Sequence, residues 1–254
     1  MREPNHSTAQ HSRVGTLPRP WLAVALLATL AAICASLGLW QFGRAGQSRA
    51  AAERFESALA LPAARLRTAD AADDLLRYRK VEVTGRYVPE RQVLIDNIVH
   101  RGTAGYYVLT PFEPADRGPW LLVNRGWVAA DPARTILPDV YVDGADRRIS
   151  GVLDRLPAPG LRMGDAVAGD GDAAVVVMSF PTIGALEELL GRRLYGYQLR
   201  LDPEEPDGFE REIAPPGLPP ERHLGYAVQW WLFGTIAGGA ALVIAVRTLR
   251  RRGG

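Results

Sequence analysis

The sequence predicts a membrane α+β protein. Two transmembrane helices flank an outer-face antiparallel β-sheet, or partly open β-barrel, that carries one or two further helices. Three observations predict this. Trp21 to Trp40 and Tyr226 to Val246 contain no charged residue, and about 20 such residues in a helix cross a roughly 30 Å hydrocarbon core. Arginines flank the outer ends of both runs: Arg2, Arg13 and Arg19 before the first, and Arg247, Arg250, Arg251 and Arg252 after the second. Between the runs, apolar residues alternate with period two in short segments broken by Gly, Pro and Asp, as half-buried strands do.

The chain has 254 residues and a net charge of +2, which suits one tethered globular domain. Basic ends around a mildly acidic middle are a topology signal rather than a nucleic-acid footprint, because no basic face with interleaved aromatics occurs. The positive-inside rule then places both termini in the cytoplasm. The expected segments are a tail over 1–20, a span over 21–40, an outer domain over 41–225, a span over 226–246 and a basic tail over 247–254. A cleaved signal peptide is the rival for the first run, but its apolar core is longer than a signal usually has. Cys34, the single cysteine, lies inside that run. Disulfides and thiol chemistry are therefore excluded from the outer domain.

Taken in order, Ala28, Ala32 and Ser36 would form a small-residue stripe on the first span. Gly234 to Gly238 is a small-xxx-small pattern on the second. Packing of the spans on each other is one reading, and the ordinary abundance of Ala and Gly in such helices is the other. Trp40 suits the interface, Arg44 can snorkel to phosphate, and Arg49 to Leu61 reads as a polar helical extension.

A loop leads to about Asp74. Strands are then expected at Lys80 to Val88, Arg91 to Val99, Gly105 to Thr110 (stopped by Pro111), Trp120 to Val128, Arg148 to Leu153, Ala174 to Phe180 and Leu194 to Leu201. One helix, capped by Ser179 with Pro181 in its first turn, should present Ile183, Leu186, Leu189 and Leu190 and end at Gly191. Asp170-Gly171-Asp172 lacks a full calcium ligand ladder and reads as a solvated turn. Pro203 to Pro220 reads as an extended linker back to the membrane.

No residue pattern offers a nucleophile, a phosphate-binding loop or a metal-spaced cluster. An enzyme of the outer face is therefore disfavoured. A sensor or transporter accessory would need a cytoplasmic output domain, and only short tails are present. Of the histidines beyond the N-terminal tail, His100 reads as a surface or turn residue. His223 stands one turn before the aromatic start of the second span. If that helix begins early, His223, Ala227, Trp230 and Gly234 share one face. Two readings stay open: an interfacial anchor beside Arg222, or an imidazole offered to a flat apolar ligand carrying iron.

Several segments resemble the surfeit-locus (Surf-one/Shy-one) proteins, assembly factors of cytochrome c oxidase. They are Leu37-Gly38-x-Trp40-Gln41-x-x-Arg44, Tyr78-Arg79-x-Val81-x-Val83-x-Gly85 and Gly105-Tyr106-x-Val108-x-Thr110-Pro111-Phe112. Val123-Asn124-Arg125-Gly126-Trp127 and Arg222-His223-Leu224-x-Tyr226-Ala227-x-Gln229-Trp230-Trp231 follow in the same order. The resemblance implies a non-enzymatic chaperone assisting haem a delivery to, or insertion into, subunit I of an aa3-type oxidase. It implies His223 as ligand to the haem iron, with Tyr226 and Trp230 as pocket neighbours. Implied partners are oxidase subunit I, haem a synthase and membrane lipid, with room for a homo-oligomer and no nucleic acid. The alternative is a scaffold that tethers oxidase subunits or haem a synthase without touching haem. The N-tail lacks the character of an organelle transit peptide, which favours a bacterial plasma membrane.

Overall fold

The computed structural model describes residues 19–70, 74–157, 167–168, 174–179 and 181–252. The elements are α1 (Arg19–Leu59), β1 (Ala64–Arg65), a 3-10 turn (Asp74–Leu76), β2 (Lys80–Tyr87), β3 (Gln92–His100), β4 (Thr103–Pro114), β5 (Trp120–Ala129), β6 (Asp146–Asp154), β7 (Val167–Ala168), β8 (Val175–Met178), α2 (Ile183–Leu190), β9 (Leu194–Leu201) and α3 (Pro220–Arg250). They fall into two compact units. One holds the chain up to Ala51 together with Gly217 onward, and the other holds Ala52–Pro216.

In the first unit, α1 and α3 are both long and apolar enough to cross a membrane. The expected first span and polar extension form one continuous helix. No proline occurs between Pro20 and Pro62 to break it, and glycines alone weaken a helix without ending it. The least exposed residues of α1 are Cys34, Gly38 and Ala45, with Ala31, Gln41 and Ser48 half-buried on the same stripe. On α3 they are Ala227, Ala237 and Ala241, with His223, Trp230 and Gly234 half-buried between them. Steps of three and four define one seam along each helix. A Cβ on Gly234 would lie 3.3 Å from the Ala31 carbonyl oxygen and from the Cys34 Cβ, so the backbones approach as small-residue seams allow. Ala28, Ala32 and Ser36 are exposed instead. The hydroxyl of Ser36 turns back to the Ala32 carbonyl at 2.9 Å. The seam lies about one position round the helix from the expected stripe.

The second unit is built on one nine-stranded sheet in the order β1-β2-β6-β9-β5-β4-β3-β8-β7, with β2 also pairing β4. The sheet is mixed where the sequence suggested an antiparallel one. β1 runs parallel to β2, β8 to β3 and β9 to β5. The pairing of Gly85–Tyr87 with Phe112–Pro114 returns the ladder β2–β6–β9–β5–β4 to its start. Val81, Val83, Phe112, Leu121, Val123, Ile149, Leu153 and Leu199 pack together in its largest core cluster. Val93, Ile95, Leu109, Leu122 and Met178 make another cluster under Leu186 and Leu190 of α2. The last turns of α1 join this unit by burying Phe55 against Tyr78, ring centroids 5.2 Å apart.

Three local expectations change. β4 does not stop at Pro111. Its pairing with β3 ends at Leu109 and its pairing with β2 begins at Phe112, so Pro111 stands at the changeover, where its missing N–H leaves no gap. Its carbonyl accepts from the Val88 N–H at 2.8 Å. Thr182, not Ser179, caps α2: it is extended and its hydroxyl accepts from the Ala185 N–H, while Gly191 closes the helix in the left-handed region. The segment after β9 is not a free linker. Phe209 and Glu210 pair with Arg125 and Trp127 on β5 through backbone hydrogen bonds. The Asp170-Gly171-Asp172 turn and most of the N-terminal tail lie outside the described residues.

Candidate functional site

α3 opens at Pro220 behind an extended Pro219, with Glu221 in its first turn. Proline suits a first helical turn because its missing N–H would find no helical acceptor there, and an acidic residue complements the helix dipole. His223 therefore lies inside the helix, on the half-buried stripe with Ala227, Trp230 and Gly234. Opposite it on α1 stands Gln41. The His223 Nδ1 and the Gln41 Oε1 are 2.9 Å apart, within hydrogen-bonding distance.

Contacts on either side hold this pair in place. Above it, the Ser48 hydroxyl donates to the Leu218 carbonyl at 2.6 Å. Below it, the indole of Trp231 lies on Gly38, where any Cβ would collide with the ring. The same indole meets Phe42 at 6.1 Å between centroids. Two of the segments that carried the resemblance, Leu37 to Arg44 and Arg222 to Trp231, thus fold onto each other. Gly38 and Gln41 are the residues that sequence reasoning left without a role. The signal that could have found them is the shared seam, since Cys34, Gly38, Gln41 and Ala45 recur at steps of four, three and four.

Trp230 lies on the seam stripe and Tyr226 on its exposed flank. Tyr226 is 48% exposed, Trp230 is half-buried, and Trp230 meets Phe233 edge-on at 6.1 Å. Among the described residues no ring contact joins either of them to His223. The arrangement offers an imidazole at the end of the seam and an outward aromatic surface beginning one turn further along α3. The Nε2 of His223 has no hydrogen-bond partner among the described residues. Among those residues no group of three His, Cys, Asp or Glu side chains could hold a metal ion. A single imidazole does not retain a bare metal, and its chemistry here is to offer one nitrogen ligand to a metal that other donors already hold.

The β unit carries a second constellation. Arg125, in the segment Asn124-Arg125-Gly126-Trp127, is 2% exposed. Its Nε donates to the Asp207 carbonyl at 2.6 Å, and its Nη1 donates to Gln92 Oε1 at 3.1 Å and the Val140 carbonyl at 2.8 Å. Its Nη2 reaches the Tyr141 carbonyl at 3.2 Å. The faces of Phe209 and Tyr87 lie 5.0 and 5.8 Å from the guanidinium carbon. Burial pulls the Arg125 pKa down and pushes the Tyr87 hydroxyl up to about 12. Gly126 follows at φ +111°, a conformation that glycine adopts without strain. With Thr110 Oγ1 of β4 3.4 Å from Nη1, this cage ties β3, β4 and β5 to the chain at Val140–Tyr141 and at Asp207, and its role is structural. His100 ends β3 with Nε2 3.0 Å from Glu210 Oε1 and its ring beside Trp127.

Comparison with known proteins places these features. The family model described as the SURF1 family matches residues 28–235. An uncharacterized SURF1-like protein of Mycobacterium bovis is 30% identical over 232 residues, covering 89% of this chain and 83% of that protein. A SURF1-like protein of Rickettsia felis is 32% identical over 97 residues, covering 37% of this chain and 41% of that protein. The cytochrome oxidase assembly protein SHY1 of Saccharomyces cerevisiae is 27% identical over 113 residues, covering 43% of this chain and 29% of that protein. The profile match spans both seam segments, the β2 to β5 motifs and the Arg125 cage, and on it this chain belongs to the SURF1 family.

Proposed function

We propose that this protein is a non-enzymatic assembly factor for an aa3-type cytochrome c oxidase, assisting delivery of haem a to subunit I. The observation that carries the reading is the seam end. There His223 keeps one ring nitrogen on Gln41 and the other without a partner among the described residues, beside an outward aromatic flank. The yeast relative's name, a cytochrome oxidase assembly protein, supports the wider role. When bound, the haem would supply an iron that accepts one imidazole nitrogen. His223 would hold that iron from the seam. Trp230 and Tyr226 would offer apolar surface to the macrocycle, and surrounding hydrocarbon would suit its isoprenoid tail. Arg247 and Arg250 in the last turn of α3, with Arg251 and Arg252 after it, favour both termini cytoplasmic and the β unit outside, and an N-tail unlike a transit peptide favours a plasma membrane. Oxidase subunit I and haem a synthase are the partners this role requires.

The same hydrogen bond also favours a second reading. A histidine spent on locking two spans together is what a scaffold without haem would show. Purification in detergent from cells making haem a, followed by an absorption spectrum, separates the two. We expect wild type to carry haem and His223→Ala to lose most of it. Equal haem in both, or none in either, removes the ligand assignment and leaves the scaffold. Reporter fusions at Pro203 and Gly254 should fall on opposite sides of the membrane, and the same side for both would overturn the two-span topology.

A further inference from the structure

We infer that Gln41 is a positioning residue for His223: it holds the imidazole proton on Nδ1 and so leaves the Nε2 lone pair as the metal-binding atom. The inference rests on the haem-handling reading above and adds to it the residue that prepares the ligand.

A neutral imidazole carries one N–H and one lone pair, and the hydrogen bond at one nitrogen decides which sits where. The Gln41 oxygen 2.9 Å from Nδ1 is an acceptor, so Nδ1 is the donor. Nε2 is then the unprotonated nitrogen, without a hydrogen-bond partner among the described residues. Histidines that bind metals commonly donate their second ring nitrogen to such an acceptor, which fixes both tautomer and ring orientation. A carboxyl group in this place would add a charge at the edge of the hydrocarbon, whereas the amide oxygen does the same work uncharged.

The position of Gln41 supports a specific role. Its neighbours along the α1 seam, Cys34, Gly38 and Ala45, are small, and packing alone would be served by another small residue there. The acceptor also comes from the opposite span, so the ligand is prepared only when α1 and α3 are in register. Ser48 on Leu218 and Trp231 on Gly38 set that register from both sides.

The test uses the full chain, labelled with ¹⁵N-histidine, in detergent micelles at a pH where His223 is neutral. Its resonances are assigned by their loss in His223→Ala. Wild type should show a protonated Nδ1 and a lone-pair Nε2. Gln41→Leu should shift the ring toward the opposite tautomer, and Gln41→Glu, which keeps an acceptor, should restore it. A protonated Nε2 in wild type, as an amide turned to donate to Nδ1 would give, overturns the inference. So does a tautomer that Gln41→Leu leaves unchanged. In parallel, each variant is titrated with ferric haem b and followed by its Soret band and electron paramagnetic resonance. Gln41→Leu should weaken binding about tenfold or more, in line with the loss of a partner that orients a ligand, while Gln41→Glu should retain it. If wild type and His223→Ala bind haem b equally, the haem reading fails whatever the tautomer shows. A tautomer change without any loss of affinity overturns the positioning role alone.

Discussion

Replacing Arg125 by lysine should destabilise the β unit at least as much as replacing it by methionine, although lysine keeps the charge. The structure sets the magnitude. Arg125 is 2% exposed and no carboxylate among the described residues forms an ion pair with it. Its charge is met by the carbonyls of Asp207, Val140 and Tyr141, by Gln92 Oε1 and by two aromatic faces. Methionine removes every donor. The Asp207 and Tyr141 carbonyls belong to exposed residues and can turn to water, and Gln92 Oε1 keeps the Thr110 hydroxyl at 2.8 Å, but the Val140 carbonyl belongs to a buried residue. One dry acceptor at about 1–3 kcal/mol, less the relief of no longer desolvating a cation, leaves a loss of roughly 1–2 kcal/mol. Lysine keeps the buried cation and loses the planar fork, so it can satisfy fewer of the dispersed acceptors. A loss of about 3–5 kcal/mol follows, as for a buried charge stripped of its partners. Urea unfolding of the full chain in detergent, read by tryptophan fluorescence with Trp127 beside the cage, measures both. Losses below about 1 kcal/mol for both variants, or a lysine variant clearly more stable than the methionine one, would refute the cage as the organiser of this unit.

Two further predictions concern the same unit. The Tyr87 hydroxyl is buried without a hydrogen-bond partner among the described residues, so Tyr87→Phe should be neutral or stabilising by up to about 1 kcal/mol, and a clear loss in the same unfolding assay would mean that the hydroxyl is satisfied in solution. Burial raises the pKa of Asp202, but the Lys80 ammonium and the Glu204 N–H outweigh it and hold the carboxyl below its ordinary 3.8. A depressed carboxyl contributes stability that is present above its unfolded pKa and lost as pH falls through its folded one. Asp202→Asn should therefore lower stability at neutral pH and flatten the acid limb below about pH 4, and an unchanged limb in the variant would exclude the pair as its source.

The strands were legible as short apolar segments bounded by Gly, Pro and Asp, although β2 alternates in burial along its length and β5 is buried at seven successive positions. Leu194 to Leu201 is recovered to the residue, and the expected bounds of β2, β3 and β5 lie within one residue of the observed ones. Parallel pairing was not legible, because alternation fixes which face is buried but not which neighbour a strand finds. Thr182 and Ser179 carry equivalent caps, and only the backbone direction at Thr182 separates them. The span stripe was misplaced because Ala and Ser are small on every face of α1. What fixes the seam is Trp231, a large residue on the other helix that needs Gly38 beneath it. The Arg125 cage was visible only as a segment quoted for its resemblance, since its acceptors come from three places far apart in the chain.

The seam also explains why His223 stands where it does. Two helices in lipid gain little from hiding apolar surface, because hydrocarbon is as apolar as leucine, so close backbone approach and hydrogen bonds must hold them. Along Ala31, Cys34, Gly38 and Ala45 the first means is used. The second enters at Gln41 and Ser48, facing His223 in the first turn of α3 and Leu218 just before that helix begins. Apart from Trp231, which packs on Gly38, the aromatics beside this end are not required by the packing of the seam. Trp40, Phe42, Tyr226, Trp231 and Phe233 all stay exposed, as rings of an interfacial belt do. His223 is the residue where the two regimes meet. Its Nδ1 faces the amide that closes the seam, and its Nε2 faces nothing the described chain supplies. A structural lock needs only the first nitrogen, and it is the second, left without a partner, that makes the ligand reading worth testing.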